Sequence, residues 1–376
     1  MDKPPIKVHD CSALELRIHV LGYFPKGESI LIILWNNHNK TVCQSILVDC
    51  FEMSNKNNFE PLFNEYKLKK NKLNYFIWTH PDEDHSVGIP KIVNNYIDKN
   101  TLIFIPYGLS WDTMSIRNIN KRRALKEIVT YSNVFQSFLS VLKCSRKRPS
   151  IVEPVSSSRH QLRAELYGDI IKDNFNAECS FKIEILTPFR DMSFTKSVTN
   201  SSILNNDLSI SFNLVFGQYR FFFGGDAENE ALKNVREKRL NDTIFVKIPH
   251  HSSNSSDMLP TVYKRILQNA KVSKPPLISA ITTSYENNSN IQLPNITVLD
   301  EYKKCTRGIY LTKSNTIQVN NYGIWTFCYK YQSALPIAKN NKGDASVYYE
   351  LTVKKRQEEK NKFLGRGVKI PICTMY

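Results

Sequence analysis

Six consecutive residues, His80 to His85 in the stretch "IWTHPDEDHSVG", carry two histidines and three carboxylates directly behind an apolar run. A fold that turns this stretch inward needs a cation for it, because desolvating an unpaired carboxylate is expensive. The preceding "LNYFIWTH" reads as a buried strand, so His80 arrives at a strand's C-terminal end. In the tight turn that follows, His80, Asp82, Asp84 and His85 can converge on one point. Imidazole nitrogen and carboxylate oxygen are donors that a hard or borderline divalent cation takes, and two such ions need about six to eight protein ligands. The chain must therefore fold so that other ligands reach the same strand end.

Other strand ends offer them. "SILVDC" delivers Asp49, and "FFFGGDAENEA" delivers Asp226 at a Gly-Gly turn that allows close backbone approach. "TIFVKIPHHSS" places His250 and His251 at the end of another strand. Taken singly, Asp226 reads equally well as a helix N-cap and the His pair as a polar turn. Together, four strand ends bearing Asp or His describe one metal-binding edge. The strands "LELRIHVLGY", "SILIILWNN", "TLIFIPYG", "CSFKIEILTP", "LSISFNLVFG" and "PPLISAITTS" are interspersed with helical patterns, "SVGIPKIVNNYI" and "AENEALKNVREKRL". This predicts an α/β architecture with function at the strand ends.

One folded domain is expected over residues 1–335, interrupted at 110–150 by a helical basic insertion carrying Arg122, Arg123, Arg146, Lys147 and Arg148. Residues 336–376 turn polar and basic and read as a tail or peripheral element. The 376-residue chain has 51 Lys+Arg against 35 Asp+Glu, a net +16 that favours a polyanionic partner, either DNA or RNA. The basic insertion is the expected nucleic-acid contact, the alternative being a solvated helical face. No stretch approaches the ~20 apolar residues of a membrane helix. The N-terminus lacks an apolar signal core. The eight cysteines form no C-x-x-C pair and read as reduced thiols. A soluble, cytoplasmic protein is expected, without membrane contact and with room for protein partners.

"THPDEDHSVG", "NDLSISF", "FFFGGDAENEA" and "VKIPHHSS" together resemble the motifs of the metallo-β-lactamase superfamily, in order and spacing. They look most like its ComEC-type branch, named for the nuclease-like domain of a DNA-uptake channel protein. The resemblance covers roughly residues 14–312. It implies an αββα sandwich with a dinuclear centre at one edge. His80 and Asp82 would hold one ion, Asp84 and His85 the other, and Asp226 would bridge them. His250 or His251, or both, would complete the ligand set, with Asp49 supporting it. The Asn206, Asp207 and Ser209 element stands where other branches place a ligating histidine. Gln292, in "IQLP", stands where the family commonly has its last histidine, and "HHSS" replaces the usual "HHGS".

The resemblance implies two divalent ions, zinc or manganese, and a metal-dependent hydrolase. A two-metal centre suits a phosphodiester, since it acidifies the attacking water and neutralises charge on the leaving oxygen. Asp84 would orient that water, and Lys247 or the non-ligating member of the histidine pair, His251 where His250 ligates, would stabilise or protonate the leaving oxygen. A nuclease or phosphodiesterase is the expected activity, with a defence role as one setting. A small-molecule metallohydrolase acting on a cyclic nucleotide, lactone or thioester is the alternative, as is a binding module on a degenerate centre.

Overall fold

The computed structural model describes residues 4–51, 59–106, 149–154, 156, 165–189, 206–269, 278–286, 292–313 and 322–350. The basic insertion with Arg122, Arg123, Arg146, Lys147 and Arg148 falls outside them, as do residues 351–376. Strands β1 (Leu14–Tyr23), β2 (Glu28–Asn36), β3 (Thr41–Val48), β4 (Tyr75–Ile77), β5 (Leu102–Phe104) and β6 (Ser150–Val152) build one sheet. A second contains β7 (Leu166–Gly168), β8 (Phe181–Thr187), β9 (Ser211–Phe216), β10 (Tyr219–Phe223), β11 (Thr243–Lys247), β12 (Ser279–Thr282) and β13 (Gly308–Leu311). The chain then returns to both. Strands β14 (Tyr322–Lys330) and β15 (Ala338–Gly343) extend the first sheet beyond β1, and β16 (Ser346–Glu350) pairs with β13 at the edge of the second.

The two sheets share a scheme. Antiparallel pairing joins β1 to β3, and parallel pairing continues from β3 through β6. In the second sheet, β7 to β10 are antiparallel and β10 to β13 parallel. Parallel neighbours need crossover connections, and these carry the helices: α1 (Phe59–Glu65), α2 (Ile89–Tyr96), α3 (Leu259–Asn269) and α4 (Ile296–Lys303).

Strand periodicity sorts the apolar residues into layers. In β2, Ile30, Ile32 and Leu34 face the second sheet, while Leu31 and Ile33 face α1 and α2. Burial on both sides explains why the strand reads as an unbroken apolar run. Between the sheets the core is aromatic: Phe212 stacks on Phe223 at 4.9 Å, and Phe245 meets Phe327 edge-on at 5.4 Å. Phe222, Val246 and Ala280 turn to the opposite side, against Leu259, Tyr263 and Tyr302 of α3 and α4. The result is the helix–sheet–sheet–helix layering expected. Among the described residues no helix is long and apolar enough to cross a membrane.

Two readings change. The boundary at 335 is too early, because β15 and β16 lie beyond it and extend both sheets. An edge strand such as "AKNNKG" is held by backbone hydrogen bonds, so its polar sequence gives no apolar signal. The helix expected over "AENEALKNVREKRL" shrinks to a single turn, Asn229–Leu232, and a 3-10 turn, Glu237–Arg239. Its end is claimed by the second sheet: Arg239 is buried, and its carbonyl accepts from Asn213 Nδ2 at 2.7 Å.

Candidate metal centre

Open α/β sheets present their ligands at the carboxyl ends of parallel strands, and both sheets here bring those ends to the same edge. Asp49 follows β3, His80 follows β4, Asp226 follows β10, His251 follows β11 and Thr283 follows β12. The turn after β4 closes as one helical turn, Glu83–Ser86. Ser86 Oγ donates to the Asp82 carbonyl at 2.7 Å and accepts from the buried indole of Trp78 at 2.9 Å. Asp84 and His85 are thereby fixed with their side chains buried.

The second sheet contributes through two tight turns. At Gly224 an added Cβ would lie 2.5 Å from Pro249, and at Gly225 (φ +52°) 2.4 Å from Ser209 Oγ. That hydroxyl accepts from the Asp226 backbone N–H at 3.0 Å, which fixes the start of the Asp226 turn. His250, His251 and Ser252 all adopt positive φ (45°, 48° and 68°), a costly conformation for residues with a Cβ. It turns the two histidine rings to different surroundings.

His251 enters the cluster. Its Nε2 lies 3.2 Å from Asp84 Oδ2 and 3.6 Å from Asp226 Oδ2. His85 Nε2 is 3.5 Å from Asp84 Oδ2 and 3.5 Å from Asp226 Oδ1. His80 Nε2 is 3.6 Å from Asp226 Oδ2 and 3.8 Å from Asp82 Oδ2. Two donors bound to one ion at about 2.1 Å with a tetrahedral angle stand about 3.4 Å apart. The observed separations bracket that value.

The histidine tautomers follow from what lies behind each ring. Asp49 accepts from His85 Nδ1 at 2.7 Å, and from the Thr79 hydroxyl at 2.6 Å. Thr79 spends its proton on Asp49 and so accepts from His80 Nδ1 at 3.0 Å. Likewise Thr283 donates to Glu28 at 2.5 Å and accepts from His251 Nδ1 at 2.8 Å. All three rings therefore hold a proton on Nδ1 and turn Nε2, the atom a cation would take, toward carboxylates. Among the described residues His80 Nε2, His85 Nε2 and Asp226 Oδ1 are buried without a hydrogen-bond partner.

Charge gives the same answer. Burial, with Asp84 and Asp226 alongside, raises Asp82 to about 6, and burial lowers His80 to about 4. Burial also opposes charge on His85, yet Asp226, Asp84 and Asp49 drive its pKa well above the ordinary value. The carboxylates pull positive charge into the cluster. Buried carboxylates that draw positive charge onto inward-facing Nε2 atoms fit a bound divalent cation in place of those protons, and Asp84, His85 and His251 form a group able to hold one. Asp49, His80 and His85 also lie close enough for a metal group. Asp49, however, is occupied by Thr79 and His85 Nδ1, so it orients the rings.

Several expected residues stand elsewhere. His250, expected as a ligand, turns to Glu228 at 3.2 Å, Ser255 at 3.0 Å and Asn206 at 3.3 Å. Lys247, expected at the leaving group, is fully buried and pairs with Glu28 at 2.6 Å. Asn206 donates to Glu228, and Ser209 supports the Asp226 backbone. Asp207 lies in the turn Asn206–Leu208, and its side chain is outside the described residues. Gln292 is exposed on a short hairpin and donates to Glu286. Sequence reasoning missed Thr79, Glu28, Thr283 and Glu228. The one signal present was Glu28, a carboxylate opening the apolar run "ESILIILW".

No protein-family model matches the chain, and no curated protein matches it. Among solved structures it is similar to the metallo-β-lactamase-fold protein YhfI from Bacillus subtilis, at TM-score 0.40 and 10% identity. That similarity spans 83% of this chain and 99% of the other. So weak a likeness carries no weight for chemistry, which rests on the side chains described above.

Proposed function

We propose that this chain is a metal-dependent hydrolase of phosphodiesters, with nucleic acid as its substrate class. The observation that carries the reading is the inward set of three Nε2 atoms facing the Asp82, Asp84 and Asp226 carboxylates. His80 and Asp82 would hold one divalent ion, and Asp84, His85 and His251 a second. Asp226 would serve both, since its Oδ2 faces His80 and His251 while Oδ1 faces His85. Zinc or manganese, once bound, would supply Lewis acidity toward the phosphoryl oxygens and an acidified water near neutral pH.

The protein's own groups then have distinct tasks. Asp84, buried between His85 and His251, would orient the attacking water. His250, the non-ligating member of the pair, partly exposed and steadied by Glu228, would hydrogen-bond the leaving oxygen, a task expected of it or of Lys247. Lys247 instead neutralises Glu28 and so sustains the proton chain to His251. The net charge of +16 supports a polyanion over a neutral lactone or thioester.

The test is incubation of metal-stripped protein with labelled DNA, labelled RNA and cyclic nucleotides, adding back zinc, manganese or magnesium separately. Cleavage of DNA or RNA that returns with one metal is expected, with binding that weakens steeply as salt rises. Neutralising Arg122, Arg123, Arg146, Lys147 and Arg148 should lower the log–log salt slope by about 0.7–0.9 for every phosphate they had neutralised. Turnover confined to cyclic nucleotides would move the reading to a small-molecule hydrolase. Failure to take up any transition metal would end it.

A further inference from the structure

The rim of the centre carries a cation that neither the ligands nor their supports use. Lys26 lies in the turn between β1 and β2, and its Nζ is 2.8 Å from Glu83 Oε2. Glu83 sits between Asp82 and Asp84, in the turn that supplies the metal ligands. Both partners are partly exposed, at 28% and 37% of their side chains, so water or another anion can reach either one. A half-exposed pair of this kind adds little to stability and is easily exchanged.

The backbone presenting Lys26 is nevertheless held firmly. The Pro25 carbonyl accepts from the Glu286 N–H at 2.9 Å, and the Gly27 carbonyl accepts from the Tyr23 N–H at 3.0 Å. Gly27 has φ +127°, and a Cβ there would lie 2.1 Å from the Phe51 ring, so the turn is seated directly on the segment after Asp49. The next residue is Glu28, whose carboxylate reaches His251 through Thr283. One short segment thus supports a ligand from behind and sets an ammonium group at the rim, close enough for the Asp84 carboxylate to act on its charge.

We propose that Lys26 anchors the anionic substrate of this centre, exchanging Glu83 for a phosphate oxygen when a phosphodiester binds. Glu83 holds the ammonium in position between turnovers and competes with the substrate for it. A lysine is suited to this exchange, since its ammonium binds phosphate as a point charge without demanding a fixed orientation. The inference rests on the phosphodiesterase reading and adds the residue that sets affinity for the substrate's charge.

The experiment uses the metal-reconstituted full chain with two probes, inorganic phosphate for direct binding by calorimetry and bis(4-nitrophenyl) phosphate for turnover. Lys26→Ala should raise the phosphate Kd and the diester KM about tenfold, and KM should change more than kcat. Lys26→Arg should stay within about threefold of the parent, because the charge is kept. Glu83→Gln should bind phosphate more tightly than the parent, since the competitor is gone. Metal content should be equal in all four proteins. An unchanged Kd in Lys26→Ala, a weaker one in Glu83→Gln, or loss of metal in step with loss of binding would each overturn the proposal. A parent protein that binds phosphate but cleaves no diester would sink the phosphodiesterase reading, and the phosphate Kd values would still decide the role of Lys26.

Discussion

His251 is defined as much by Thr283 and Glu28 behind it as by the carboxylates in front. Thr283→Val keeps the shape and removes the hydroxyl, so Nδ1 loses its acceptor and the ring its preferred tautomer. Metal affinity should fall about 10- to 100-fold, read by competition with a chromogenic chelator. Equal affinity in the valine variant would show that the relay does not orient the ring. His19 gives a prediction independent of metal. Buried in β1 between Tyr66 OH (3.0 Å) and Thr326 Oγ1 (2.9 Å), it has its pKa lowered to about 3, by burial foremost and then by Arg17 and Lys342. A folded-state value below the unfolded one means the unfolded chain takes up the proton first as pH falls. Stability is therefore complete above about pH 6.5 and is lost toward pH 3. The loss from this residue between pH 7.5 and 5 is about 2 kcal/mol. His19→Gln should show a flatter dependence of unfolding free energy on pH over that interval, whatever its stability at pH 7.5. Parallel curves would remove His19 from the account. The residues that crowd this edge were conspicuous in the sequence as Asp and His at the ends of apolar strands, although it did not say which of His250 and His251 turns inward. Of the groups behind the rings Asp49 stood out in the same way, whereas Glu28 and Thr283 are ordinary residues 255 positions apart that meet only after both sheets form.

Elements were readable where side-chain burial organises them. Strands β2, β3, β9 and β11 announce themselves as apolar runs, and α2 by its helical spacing. Strand β15 is the opposite case, four of its six residues being exposed. It pairs with β14 from Gly323↔Gly343 to Cys328↔Ala338, and β16 pairs with β13. Ending the chain at Leu335 would bare the edges of β14 and β13 together, leaving rows of unpaired N–H and C=O groups. The truncated protein should be aggregated or largely unfolded in size-exclusion chromatography and circular dichroism. One ending at Glu350 should stay monodisperse by this criterion. A soluble, folded protein ending at Leu335 would mean that the two edge strands are dispensable.

At the scale of the molecule, the centre is a clamp between sheets. His80, Asp82, Asp84 and His85 follow β4 of the first sheet, whereas Asp226 and His251 follow β10 and β11 of the second. Bound metal therefore stabilises the sandwich by mass action, by about 2.7 kcal/mol for each ion present at 100 times its Kd. Chelation should lower Tm by several degrees, and adding back the metal should restore it. The fold should survive chelation, because the Glu28–Lys247 pair joins β2 to β11 without metal. A Tm indifferent to both treatments would argue against ions between the sheets.

The return of the chain to its first sheet also governs the order of assembly. Strand β14 pairs with β1 along nine residues, from Tyr322↔Tyr23 to Lys330↔Glu15. Translation adds about 5–20 residues per second, so β1 leaves the ribosome roughly 15–60 s before its neighbour exists. Throughout that interval an apolar strand, buried on both faces in the finished protein, has one open side. The nascent half-protein must be shielded or kept loose until β14 is made, which makes its synthesis a race between completion and association with other nascent copies.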